Sequence, residues 1–126
     1  MAEDFAQKTV ADVMGQIVWL MTQSKFHRSL FISDLEWAIM PAILVQQLKF
    51  HYHEGQPKAA VFWALVSEEV KERIDSSAQP RLRLHDWRSD DIPVVVDAIA
   101  PFGDRERLMD EFLKELSTSL SEESTR

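Results

Sequence analysis

The sequence predicts an α/β or α+β domain built on one central sheet, and three patterns carry that expectation. Val10, Val13, Met14, Ile17, Val18 and Met21 recur at the three- and four-residue spacing of a helix. Leu48, Phe50 and Tyr52 alternate with Lys49, His51 and His53, and the turn-forming Glu54-Gly55-Gln56-Pro57 follows. Two apolar runs, Ala59 to Val66 and Val94 to Ala100, supply further strands, the first of them central and covered on both faces.

The remaining elements follow in order. The first helix gives way at Thr22 to Lys25 to a polar loop leading into Phe26-His27-Arg28. Ser33-Asp34-Leu35-Glu36 has the form of a capping box and predicts a short helix through Trp37 and Met40. Pro41 disfavours helical geometry at Met40, so that helix is expected to stop there. A short helix opens at Ser67-Glu68-Glu69-Val70 and runs to about Ile74; Asp75 to Pro80 reads as a loop. Arg81-Leu82-Arg83-Leu84 alternates like an edge strand, and His85 to Asp91 is polar apart from Trp87. Asp104 caps a last helix whose apolar stripe is Leu108, Met109, Phe112, Leu113 and Leu116. Residues 1–116 thus read as one domain and 117–126 as a polar, frayed tail.

Composition excludes several kinds of chemistry. The 126 residues contain no cysteine, which rules out disulfides, thiolate-held metal, iron–sulfur clusters and a cysteine nucleophile. Gly15, Gly55 and Gly103 stand alone, so neither a phosphate-binding P-loop nor a dinucleotide fingerprint is present. A formal charge of −7 argues against a nucleic-acid partner, whose binding surface would be basic. No apolar run approaches the roughly 20 residues of a membrane span. The opening MAEDFAQK is unlike a signal peptide, and a cytoplasmic protein is expected.

Asp97 is the most informative residue. It stands between Val94-Val95-Val96 and Ala98-Ile99-Ala100, where an unpaired charge would cost several kcal/mol if buried. Two readings stand: a structural carboxylate bonded to backbone amides, or a functional one paired with another side chain. His27, on its polar loop beside Arg28 and near Ser24, is either a surface histidine or a reactive one. His51 and His53 share one face of a strand, but no third ligand follows at a recognised spacing, and no metal site is expected. His85 and Asp86 are neighbours that point apart on an extended chain and read as surface. The four tryptophans read as core. Lys71, Arg73, Arg81, Arg83 and Arg88 form a basic stretch that is either solvated surface or a docking patch for an acidic partner.

Two segments also resemble a known family. Val18-Trp19-Leu20-Met21-Thr22-Gln23-Ser24-Lys25-Phe26-His27 is similar to the helix-and-loop signature of the RTX toxin-activating lysine acyltransferases. Asp86 to Asp91 and then Asp97-Ala98-Ile99-Ala100-Pro101-Phe102-Gly103 resemble that family's second signature. Ile39 to Ile43 and Phe62 to Ser67 are similar to its apolar segment and central strand.

The resemblance implies a GNAT-like acyltransferase fold with one central, mostly antiparallel sheet flanked by helices. It implies transfer of a fatty acyl group from acyl carrier protein to the ε-amine of internal lysines in an RTX-type protoxin. No further cofactor is implied, since the acyl-loaded carrier protein is the donor substrate. The family's two catalytic positions fall on His27 and Asp97, and Ser24 matches a serine close to the histidine. Lys25, Arg28, Arg81, Arg83 and Arg88 are the expected basic patch for the acidic donor; Ser24, Arg28, Arg83 and Arg88 are the substrate-binding candidates. Longer members use a C-terminal extension in the sheet and in a dimer, so a homodimer is the assembly the resemblance brings in. An acyl-CoA-dependent enzyme acting on a small amine and a binding module without activity are the alternatives.

Overall fold

The computed structural model describes residues 9–77 and 81–124. The chain forms α1 (Val10–Thr22), α2 (Leu35–Ala38), α3 (Met40–Leu44), β1 (Leu48–His53), β2 (Gln56–Val66), α4 (Glu68–Asp75), β3 (Ile92–Ile99) and α5 (Arg105–Ser124). The strands make a three-stranded antiparallel sheet in the order β1-β2-β3, with helices on both faces. This is the mixed α/β layer that the residue pattern predicts.

Helix α1 starts at Thr9, whose hydroxyl accepts the Asp12 amide at 3.1 Å while the Asp12 carboxylate accepts the Thr9 amide at 3.2 Å. This reciprocal pair satisfies two of the amides that a helix start leaves open. Of the predicted apolar positions Val13, Ile17 and Met21 are buried and Met14 is half-buried, whereas Val10 and Val18 are exposed. Leu20, outside the predicted set, joins the buried face against Phe62, Ala64 and Ile99. Ser67 caps α4 through the Val70 amide, as its position predicts.

Glu54 and Gly55 both have positive φ (51° and 78°), the geometry of a two-residue type I′ hairpin turn. Pro57 lies within β2 and pairs with Tyr52 beside a register shift, where a missing amide does least harm to the ladder. Strand β2 is covered on both faces. Ala60, Phe62, Ala64 and Val66 face α1 and α3, whereas Val61 and Trp63 face α5 with Ala98 and Phe112.

A second irregularity positions the site. Phe62 pairs with Asp97 but Trp63 pairs with Val95, so Val96 is an extra residue in β3. Val94 and Val96 pack on the α1 side, yet Ala98 packs on the α5 side and Ile99 on the α1 side. Strict alternation would put Asp97 against α5. The bulge shifts the phase by one residue and turns Asp97 toward the segment that follows α1.

Several expectations need correction. Ser33 does not cap a helix: Ile32–Asp34 is a 3₁₀ turn, and the Asp34 carboxylate accepts from the Phe31 amide and the Trp37 ring nitrogen. Helix α2 ends at Ala38, and Pro41 sits in the first turn of α3, where its missing amide costs no hydrogen bond. Arg81-Leu82-Arg83-Leu84 is not an edge strand. The chain turns instead into a 3₁₀ segment (Leu84–Trp87), because the buried Asp86 carboxylate accepts the Arg83 amide at 2.9 Å and the Arg73 guanidinium at 2.7 Å. Asp86 is therefore interior rather than surface. The polar 117–126 segment is not frayed through Ser124: α5 continues, since no glycine or proline interrupts it. Of the tryptophans, Trp87 is buried, Trp63 and Trp37 are half-buried, and Trp19 is exposed. Among the described residues, no helix is long and apolar enough to cross a membrane.

Candidate active site

The segment after α1 is a tightly wound turn rather than an open loop. The Ser24 amide bonds to the Met21 carbonyl, the His27 and Arg28 amides to the Ser24 carbonyl, and the Leu30 amide to the His27 carbonyl. The turn holds Ser24 and His27 inward, where they are 4% and 5% exposed. Phe26, between them, points outward at 71% exposure.

Three side chains form a continuous line. Ser24 Oγ lies 2.6 Å from His27 Nδ1, and His27 Nε2 lies 2.7 Å from Asp97 Oδ2. The other carboxylate oxygen, Oδ1, accepts the Ala98 amide at 2.8 Å and the Arg105 guanidinium. Burial alone would raise the Asp97 pKa. The hydrogen bond and charge of His27, joined by those of Arg105, outweigh it and hold the carboxyl below the usual carboxylate range.

These donors determine the proton arrangement. An ionised Asp97 accepts only, so His27 Nε2 donates to it. In the neutral ring Nδ1 then carries the lone pair and accepts the Ser24 hydroxyl proton. The line runs Ser24 O–H to His27 Nδ1, and His27 Nε2–H to Asp97, the order of a base backed by an orienting acid.

The line opens on a cleft of about 480 Å³ whose walls include Ser24, Lys25, Phe26, Pro101, Gly103 and Arg105. A smaller hollow of about 110 Å³ is lined by His27 itself together with Arg28, Met21, Leu30, Phe31 and Leu35.

A sequence profile of the RTX toxin acyltransferase family (HlyC) matches residues 6–122, which span the whole of this site. The chain belongs to that family. Among similar members, the protein-lysine myristoyltransferase RtxC of Kingella kingae is 35% identical over 91 residues, covering 72% of this chain and 54% of RtxC. The RTX-II toxin-activating lysine-acyltransferase ApxIIC of Actinobacillus pleuropneumoniae is 36% identical over 93 residues, 74% of this chain and 58% of ApxIIC. The protein-lysine myristoyltransferase HlyC of Escherichia coli is 33% identical over 95 residues, 74% of this chain and 53% of HlyC. The chain thus spans about half the length of the curated relatives it matches.

Within this family member the structure brings Ser24, His27 and Asp97 together and keeps Arg28 beside the histidine. Arg83 and Arg88 are engaged elsewhere. Arg88 donates to Gln47 Oε1 at 2.8 Å and to the Val45 carbonyl at 2.6 Å, while Arg83 Nε lies 3.5 Å from Asp86. Arg81 stacks on Trp37, 4.4 Å from the ring centre. Arg81, Arg83 and Arg88 remain exposed while making these contacts; Lys25 and Arg28 are the exposed members of the expected basic patch that flank Ser24 and His27. His51 and His53 share β1, and among the described residues no group of three or more His, Asp or Glu side chains converges as metal ligands.

Arg105 is the residue that sequence reasoning misses. One signal was present: a cation in the first position of a helix opposes the helix dipole, so its place needs another explanation.

Proposed function

We propose that this chain transfers a fatty acyl group from acyl carrier protein to the ε-amine of lysines on an RTX-type protein, in the cytoplasm and without a further cofactor. The observation that carries the reading is the hydrogen-bonded line Ser24–His27–Asp97, whose Ser24 end lines a cleft. The names of the similar family members supply the class of acceptor. The bulged antiparallel sheet between helices is compatible with a GNAT-like arrangement.

The chemistry demands a base. A lysine of pKa about 10.4 is protonated at neutral pH, and removing that proton costs about 4.6 kcal/mol at pH 7. One proton leaves the ammonium for bulk water before attack. As the amine nitrogen bonds to the thioester carbonyl carbon, its next proton passes to Ser24 Oγ while the Ser24 proton passes to His27 Nδ1. Asp97 stabilises the resulting imidazolium. The C–S bond then breaks, and the proton on His27 returns along the same line to neutralise the departing thiolate. Both ring nitrogens are occupied, which favours direct attack by the amine over an acyl-histidine intermediate. Lys25 and Arg28 meet the acidic surface of the carrier protein.

The test incubates an RTX-type acceptor with this chain and acyl carrier protein carrying mixed chain lengths, with acyl-CoA in a parallel arm. Intact-mass spectrometry of the acceptor is expected to show one acyl chain added per modified lysine with the carrier protein. Gain only with acyl-CoA would reassign the donor. No gain in either arm, with an acceptor that a full-length relative modifies, would refute the reading.

A further inference from the structure

We propose that Arg105 is a positioning residue: its guanidinium fixes Asp97 so that the second carboxylate oxygen faces His27, and it ties the Ser24–His27 turn to the start of α5. The consequence for rate rests on the acyl transfer proposed above; the geometry does not.

Arg105 opens a 20-residue helix, where its charge is unfavourable toward the helix dipole. Three contacts compensate, two to β3 and one to the turn. One terminal nitrogen donates to Asp97 Oδ1, Nε donates to the Ala98 carbonyl at 2.9 Å, and the guanidinium lies 5.3 Å from the centre of the Phe26 ring. Phe26 sits between Ser24 and His27 in the turn. The planar fork thus joins β3, α5 and the turn through one rigid group.

The contact to Oδ1 selects an orientation. With Oδ1 held by Arg105 and the Ala98 amide, Oδ2 is the oxygen left for His27. The side chains of Arg105 and Asp97 are 28% and 30% exposed, so the pair is partly shielded from water and exceeds an open surface bridge in strength. The charged groups acting on Asp97 are His27 from the turn and Arg105 from α5; its cross-strand neighbour on β2 is the apolar Phe62. Lysine at position 105 restores the charge but cannot donate in a fixed plane to both Asp97 and Ala98.

The experiment compares Arg105→Gln, Arg105→Lys and Leu108→Ala with the native chain. Leu108 packs α5 against the cluster of Val61, Ala98 and Phe112 and carries no polar group, so its truncation reports a purely structural loss. Three quantities are read: the Asp97 carboxyl titration by side-chain carbon NMR, kcat and KM for acyl transfer, and Tm. Arg105→Gln is expected to move the Asp97 midpoint up by about one pH unit or more. Its kcat should fall by about 10- to 100-fold with KM within about threefold, since orientation rather than binding is lost. Arg105→Lys should restore the midpoint but not the rate, which keeps the test decisive if the glutamine variant fails to fold. Leu108→Ala should lower Tm and leave the midpoint in place. An unchanged midpoint in folded Arg105→Gln, an equal shift in Leu108→Ala, or full kcat in Arg105→Lys would overturn the proposal. A shifted midpoint in Arg105→Gln, from a native chain that transfers no acyl group, would support the positioning role and refute the acyl-transfer reading instead.

Discussion

Asp97→Asn should leave the chain folded and reduce acyl transfer by about 10²- to 10⁴-fold, the range spanned by losing a general base or its correct tautomer. The asparagine keeps the shape of the side chain but not its acceptor-only character. Its oxygen will turn to the Arg105 guanidinium and the Ala98 amide, the two donors that now hold Oδ1. The amide nitrogen then faces His27 Nε2 and must donate to it. That forces the ring proton onto Nδ1, directly against Ser24, whose hydroxyl now accepts instead of donating. The base is thereby switched off without a change of shape. Transfer kinetics give the loss, and nitrogen NMR of the ring gives the tautomer. A variant within threefold of the native rate would show that Asp97 does not set the state of His27.

Asp86→Ala carries the largest expected loss of stability, about 3 kcal/mol, the low end for breaking a buried ion pair because Arg73 is half exposed. Asp86 is 1% exposed and accepts from the Arg83 amide and the Arg73 guanidinium, so its removal orphans both donors and loosens the turn carrying the buried Trp87. A net stability of 5–15 kcal/mol is typical of such domains, so the loss is a large fraction. The effect is pH-dependent with a definite sign. Burial would raise the Asp86 pKa, but the Arg83 amide and the Arg73 guanidinium outweigh it and hold it below the ordinary value. The stabilisation is therefore complete above about pH 4 and disappears as pH falls through the lowered folded-state value. In urea melts the gap between native protein and Asp86→Asn should be constant near neutrality and close in acid. A gap that stays open at the lowest pH where both fold would place the effect in packing rather than in the ionised carboxylate.

What could be read in advance follows from how local each determinant is. The α1 helix, the hairpin with Glu54-Gly55 and the apolar β2 are local patterns, and the structure has all three, with the buried face of α1 turned so that Leu20 replaces Val10 and Val18. His27 and Asp97 were legible because a carboxylate in an apolar strand needs an explanation and because both fall in segments resembling one family. Their meeting was not legible from spacing: they lie 70 residues apart, and the contact depends on the bulge at Val96, which no period in Val94 to Ala100 announces. Arg-Leu-Arg-Leu at 81–84 has the alternation of a strand, but a carboxylate three residues beyond Arg83 curls the chain, a tertiary effect stronger than local pattern. Charge shows in a sequence while its partner does not. Arg83 and Arg88 therefore look as available as Arg28, although Asp86 and Gln47 engage them. Arg105 is the converse, a surface cation by pattern and a neighbour of Asp97 by folding.

The central claim is that His27, backed by Asp97, takes up through Ser24 the proton that the lysine amine gives up as it attacks the thioester. It is tested most directly by intact-mass spectrometry of an RTX-type acceptor exposed to acyl carrier protein and either the native chain or His27→Ala. The account predicts addition of one acyl chain per modified lysine by the native chain, and a rate at least about 10²-fold lower with folded His27→Ala. Equal acylation by the two chains would contradict it.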